Sequence, residues 1–402
     1  MVKKILKSYD YTLVIVLILL SLFGLVMIYS SSMVSAVQRY GVHSDYFYQK
    51  QKLNLIIGSI VFTFMAIFPY KIMKGTKFLA FIVGGSFLGL ATLFIFGHVA
   101  GNAQSWFQVG TRSIQPSEFV KIGVIIYLSA VYAKKQSYIN EFNKGVVPPV
   151  VYLVIVCLLV AIQPDFGTAA IIFAIAAMII VSSGMNFKNI MKLITMGFLF
   201  VLPFILLLKD EVFSSTRLSR FEAFNDPFSV EQGSGYQLVN SYLAIGSGGV
   251  NGLGLGHSVQ KLGYLPESHT DFIMAVIAEE LGIWGVGFVI LALGFIVLRG
   301  IYIAAKCKDP FGTLLAIGIS SMIGIQSFTN LAGISGLMPL TGVPLPFVSY
   351  GGSSILQLSV AMGILVNVSM FVNYEQKYKS KESGNLAVAS KKSPSKPVHF
   401  PS

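Results

Sequence analysis

A chain of 402 residues that is 54% apolar and only 11% charged, with a mean hydropathy of +0.73, is not a soluble globular domain, whose charged share is about a quarter. The net charge of +12 follows from basic loops on one side of a membrane and attraction to anionic lipid, so no nucleic-acid partner is expected. Cys157 and Cys307 lie far apart and at different membrane levels, which implies neither a disulfide nor a metal site.

Ten apolar runs, most near the ~20 residues that cross a bilayer core, predict an all-α polytopic membrane protein with ten transmembrane helices. They fall at about 11–31, 53–69, 78–97, 117–133, 147–163, 168–184, 193–208, 272–298, 311–331 and 350–373, within one domain covering 1–374. The first run is too long for the apolar core of a cleaved signal and reads as an uncleaved anchor. With the N-terminus inside, the inner segments hold Lys3, Lys4, Lys7, Lys71, Lys74, Lys77, Lys134, Lys135, Lys144, Lys188, Lys192, Arg299, Lys306 and Lys308. Six tail lysines join them, making 20 of the 29 basic residues and placing both termini in the cytoplasm. The tail, 375–402, is rich in Lys, Ser and Pro and is expected to be disordered, facing head groups or a cytoplasmic partner.

The outer segments are the chemically varied ones. In the first, Trp106 suits an interfacial anchor, and Pro116 suits a first helical position after Gln115. Ser117 precedes Glu118, and Glu118 and Lys121 share a helix face. They form either a self-contained ion pair at a helix start or a buried cation and anion lining a cavity. In the second, Gln163 to Thr168, Pro and Gly explain a reversal in which Asp165 or Thr168 caps the next helix.

The third is a long loop from Lys209 to Asp271. Lys209, Arg217 and Arg220 could meet a phosphate or could be solvated surface. Gly252 to Gly256 lacks the Gly-Lys-Ser/Thr ending of a nucleotide loop, so a nucleotide is rejected and a close-packed or re-entrant element is expected. Leu265 to Asp271 then places a carboxylate at the membrane boundary, where charge is costly. Locally, Ser268-x-x-Asp271 fits a capping box that accounts for both residues without catalysis. Glu267 lies beside it, and His269 is either a proton relay or an incidental exposed imidazole. Glu279 and Glu280 sit about 80° and about 180° round the helix from Asp271, so both cannot share its cavity.

In the fourth, Asn330 is followed by Pro339 to Ser354, with three prolines and three glycines, including Gly351 and Gly352 after Ser349. This forbids a regular helix through it and suits backbone lining a wet cavity.

The chain resembles the bacterial shape, elongation, division and sporulation (SEDS) family over about 8–374. The resemblance rests on Gln104-Ser105-Trp106-Phe107, Gln115-Pro116-Ser117-Glu118, Gln163 to Thr168, Pro266 to Phe272, and Asn330 through Ser354. Within the family it is most similar to the division member of Gram-positive bacteria, with the elongation and sporulation paralogues close. The resemblance implies a peptidoglycan glycosyltransferase of the cytoplasmic membrane that polymerises lipid II on its outer face during division. Its partners would be a class B penicillin-binding protein and other divisome membrane proteins; its substrates, lipid II and undecaprenyl-pyrophosphate-linked glycan.

The family's essential aspartate matches Asp271, and its motif lysine matches Lys121, beside Glu118. Arg217, Arg220, Trp106, Gln115, Ser117, Asp165, Glu267, His269, Asn330, Ser349, Gly351 and Gly352 form the expected substrate-lining set. If Lys121 paired with Asp271 directly it would weaken the base, so such a pair would be a resting state. Asp271 and Glu118 would suit Mg²⁺ or Mn²⁺ as oxygen ligands, and no nucleotide is expected. A lipid II flippase and a divisome scaffold are the competing classes. A flippase needs a polar path through both leaflets, whereas the unusual residues here crowd the outer half.

Overall fold

The computed structural model describes residues 2–100, 103–110, 112–207 and 214–379. Lys209 and the tail from 380 onward lie outside them. A short α1 (Val2–Leu6) leads into α2 (Tyr11–Gln38), α3 (Tyr46–Ile67), α4 (Thr76–Phe96) and α5 (Pro116–Lys134). Then follow α6 (Val147–Ile162), α7 (Phe166–Ser182), α8 (Phe187–Leu207), α9 (Ser215–Asn225) and α10 (Tyr236–Gly248). The chain continues with α11 (Ile273–Lys306), α12 (Pro310–Ile334) and α13 (Gly352–Tyr374).

Each apolar run falls on one of these helices. Among the described residues, eight helices (α2 to α6 and α11 to α13) are long and apolar enough to cross a membrane, and α7 is a shorter apolar helix. The chain is therefore a multi-pass membrane protein. α5, α12 and α13 are buried on most of their faces, whereas α4 turns Phe81, Leu88 and Ile95 outward. Such an exposed apolar surface suits lipid. Asn373 Nδ2 donates to Ser8 O at 2.9 Å and Lys377 Nζ to Lys7 O at 3.2 Å, so the two described ends of the chain meet at one end of the bundle.

At the opposite end the structure departs from an all-helical reading. Residues 98–114 form a three-stranded antiparallel meander: β1 (His98–Ala100), β2 (Ala103–Val109) and β3 (Arg112–Ile114). Val109 pairs with Arg112, and Gly110, which follows Val109, has φ +62°, a conformation glycine adopts readily. The long outer loop also carries structure of its own, in α9, α10 and a 3₁₀ turn at Gln260–Leu262.

α11 is interrupted. Gly282 has φ +61° and ψ −151°, and a Cβ there would collide with Val250 O and lie 2.6 Å from Gly252 N. The break frees the carbonyls of Glu279 and Glu280, which accept from Leu253 N and Gly254 N, each at 2.9 Å. Ile283 N donates to Val250 O at 3.2 Å. The glycine-rich segment is thus a close-packed element threaded against a broken helix, and it satisfies the backbone groups the break exposes.

Candidate active site

Asp271 ends the loop that enters α11. The expected capping box does not form: the N-cap of α11 is Phe272, with no side-chain cap, and Ser268 Oγ instead donates to Ser31 O on α2 at 3.0 Å. The competing acceptor is distant in sequence, and it leaves the Asp271 carboxylate free of a capping duty. Asp271 is half-buried, and among the described residues its carboxylate has no ion pair. Burial, then the negative charge of Glu267, pushes its pKa up to about 7, against the opposing pull of Arg220.

The residue is held through its backbone. Asn330 Nδ2 donates to Asp271 O at 2.7 Å and to Val343 O at 2.8 Å, tying α12, the proline-rich loop and the Asp271 loop together. Ser349 Oγ donates to Thr270 O at 2.6 Å and accepts from Leu345 N at 2.9 Å. Tyr350 N donates to His269 O at 2.9 Å. Gly342, at φ +71°, lies beside the carboxylate: a Cβ there would stand 3.5 Å from Asp271 Oδ2, an ordinary contact.

His269 is not an exposed residue. It is 3% exposed, with its ring 4.3 Å from that of Phe47 and 5.7 Å from that of Tyr350. Burial lowers its pKa to about 4, so it is neutral at pH 7. Glu267 adopts φ +57°, accepts from Thr270 Oγ1 at 2.7 Å and pairs with Arg39 at 3.5 Å. Arg39, Glu267 and His269 also line a cavity of about 360 Å³ shared with Gln38, Lys261 and Gly263.

A second polar centre lies on α5 and α7. Lys121 Nζ meets Glu118 Oε2 at 2.9 Å, with side chains only 2% and 7% exposed. Lys121 therefore has Glu118 as its carboxylate partner, and the feared quenching of Asp271 by a direct Lys121 pair is absent from this arrangement. Asp165 caps α7 by accepting from Thr168 N at 3.1 Å and also accepts from Gln115 Nε2 at 3.0 Å. Burial raises the Asp165 pKa, with the Thr168 hydrogen bonds and then Lys121 opposing and Glu118 adding. Ser117 is fully buried beside them, its hydroxyl without a hydrogen-bond partner.

The proline-rich loop separates the two centres, touching Asp271 through Gly342 and the start of α7 through Thr341, whose carbonyl would lie 3.3 Å from a Cβ on Gly167. α9 lies over this ridge. Arg217 packs on the Phe166 ring at 4.2 Å and donates to Pro164 O at 3.4 Å, while Arg220 donates to Leu340 O at 3.4 Å. The two arginines are one helical turn apart, which suits an anionic group spanning the ridge. The sequence places both in the long outer loop, and α9 is what aligns them.

Other expected lining residues lie elsewhere. Gly351 is the N-cap of α13, its N–H facing Gln51 Oε1 at 3.4 Å, and Gly352 abuts Asn54, so both pack on α3. Trp106 is half-buried on β2. A shared metal on Asp271 and Glu118 does not fit the side chains present. Glu118 already carries Lys121, and no group of three His, Cys, Asp or Glu converges among the described residues.

Sequence reasoning missed Lys261. It is 2% exposed, and its Nζ lies 2.6 Å from Glu280 Oε1 and 3.0 Å from Ser30 Oγ. Glu279 faces the other way, accepting from Ser258 Oγ, Val259 N at 2.8 Å and Gln260 N at 3.3 Å. Two adjacent carboxylates in an apolar helix demand counter-charges, and that demand was the available signal.

Residues 10–374 match the cell cycle protein family of FtsW, RodA and SpoVE. The chain is 60% identical over 385 residues to a Bacillus subtilis protein named probable peptidoglycan glycosyltransferase FtsW, covering 95% of this chain and 96% of the relative. It is 36% identical to stage V sporulation protein E of the same organism, over 91% of this chain and 98% of that one. Its fold is similar to a chain in a structure described as structural coordination of polymerization and crosslinking by a peptidoglycan synthase complex. That likeness has a TM-score of 0.71 at 21% identity and covers 90% of this chain and 98% of the other. Thermus thermophilus rod shape determining protein RodA has a similar fold too, with a TM-score of 0.61 at 20% identity, covering 92% and 98%.

Proposed function

Because the chain belongs to the cell cycle protein family that groups FtsW, RodA and SpoVE, we propose that it is a peptidoglycan glycosyltransferase polymerising lipid II on the outer face of the cytoplasmic membrane. In this reading α7 and α8 also cross, giving ten spans with both termini inside, and the 60% identity to the B. subtilis relative supports service at the division septum. A class B penicillin-binding protein is the proposed partner, in line with the likeness to the synthase-complex chain.

The observation that carries the reading is Asp271: a carboxyl pushed to about 7, unpaired, at the mouth of a polar ridge crossed by two arginines. A general base works best with a pKa near the working pH. Asp271 takes the proton from the 4-hydroxyl of the lipid II N-acetylglucosamine. That oxygen forms a bond to the anomeric carbon of the growing strand as the bond to undecaprenyl pyrophosphate breaks. A single in-line displacement converts the α-linked donor to a β-(1→4) product. Arg220 and Arg217 meet the charge developing on the pyrophosphate. Lys121 acts at one remove: it neutralises Glu118 and bears electrostatically on Asp165, which binds Gln115 at the foot of the ridge.

The test is lipid II polymerisation by the protein purified with its class B partner, native against Asp271→Asn, with complex formation checked. Loss of glycan strands from an intact complex supports the base. Undiminished polymerisation moves the base elsewhere, and a native complex that makes no glycan brings the flippase and scaffold readings forward.

A further inference from the structure

The segment bearing Asp271 is fastened at both ends to one turn of α2. At its start, Ser268 Oγ donates to Ser31 O at 3.0 Å. At its end, Glu280 accepts from Ser30 Oγ at 2.7 and 2.8 Å, and Lys261 Nζ closes the triad on both of them. All three side chains are buried: Ser30 is 3% exposed, Lys261 2% and Glu280 0%.

The Gly282 break makes this fastening consequential. It gives the rod from Ile273 to Leu281 an end of its own, where the carbonyls of Glu279 and Glu280 pair with Leu253 N and Gly254 N instead of with the next turn. The rod, buried from Ile273 to Glu280, is held by packing and by specific polar attachments. Glu279 supplies one, gripping the backbone at 259–260 and thereby placing the turn that presents Lys261. Glu280 receives the ammonium so presented.

We infer that Lys261 is a positioning residue: through Glu280 and Ser30 it locks the rod against α2 and sets where the Asp271 carboxylate sits. The inference rests on Asp271 being the base. The Lys261 ammonium is engaged by Glu280 and Ser30, so it acts on Asp271 through the rod. Its removal leaves Glu280 buried without a cation and frees the rod to shift, admitting water to Asp271. The charged groups bearing on Asp271 are Glu267 from its own loop and Arg220 from α9, and neither is altered by the change.

The test compares Lys261→Met, Ser30→Ala and Asp271→Asn in the full chain bound to its class B partner. The readouts are kcat, KM and the pH profile of lipid II polymerisation, each normalised to folded complex. Lys261→Met is expected to lower kcat about tenfold or more with KM nearly unchanged, because small displacements of a reacting group are costly. Its acid limb should move to lower pH as Asp271 becomes hydrated, a displacement that mere loss of folded protein does not produce. Ser30→Ala leaves the Lys261–Glu280 charges paired and should move both readouts in the same direction by less, about threefold in kcat. If Lys261→Met does not assemble, Ser30→Ala decides. Native kcat and an unmoved limb in the assembled variants overturn the inference. An active Asp271→Asn instead overturns the base assignment, whatever Lys261 does.

Discussion

Lys121 and Glu118 meet at 2.9 Å within one turn of α5, whereas Lys261 reaches Glu280 at 2.6 Å from a loop nineteen residues away in sequence and draws in Ser30 of α2. Both pairs are buried, and in both a lone charge would be prohibitive. Their reach differs. The first is self-contained on one helix and leaves a polar floor near Asp165; the second joins three elements that otherwise share little covalent constraint. Asp271, by contrast, has no ion pair among the described residues, and burial, then the charge of Glu267, raises its pKa to about 7 against the opposing pull of Arg220. Two carboxylates are thus paired with buried ammonium groups, and the third is not.

The comparison breaks most visibly at Asp271. Asp271→Asn is expected to lower polymerisation by about 10²–10⁴-fold, the usual worth of a general base, in glycan-strand assays on intact complex. Lys121→Met should cost about 3–5 kcal/mol of stability by stranding Glu118, seen as a lower thermal midpoint in detergent, with Glu118→Gln added to it restoring most of the loss. Gly282→Ala forces a side chain to φ +61° against Val250 O and should cost about 1–3 kcal/mol by the same measurement. The pH profile sharpens the picture further. With a pKa of about 7, Asp271 is about one tenth ionised at pH 6 and about nine tenths at pH 8, so the rate should climb through that interval. Arg220 lowers the Asp271 pKa and Glu267 raises it. Arg220→Ala should therefore move the acid limb upward and Glu267→Gln downward, the smallest of these effects.

Apolar runs were readable because a span is a one-dimensional signal, and each lies on a helix. The pair Glu118–Lys121 was readable for a related reason: three residues apart on a helix is a distance that sequence specifies. Failures cluster where a partner lies far along the chain. Ser268 looked like a cap because Ser31, 237 residues away, was not visible as its acceptor. Lys261 looked like ordinary loop for the same reason. The meander at 98–114 is not legible in the sequence because three short strands carry too few residues for alternation to stand out, and α9 is hidden because its pattern is polar.

Ser30 and Ser31 belong to the first long helix made, yet what they hold is synthesised some 240 residues later, at separations of 250 and 237 in sequence. During insertion into the membrane, α2 must wait with its hydroxyls unclaimed until the chain has grown past Glu280. The rod from Ile273 to Leu281 then docks onto an element that has already settled among lipids. Fastening of this segment is therefore a late event in biogenesis, and a nascent chain arrested before residue 268 carries most of its membrane helices but lacks both Asp271 and the rod that follows it.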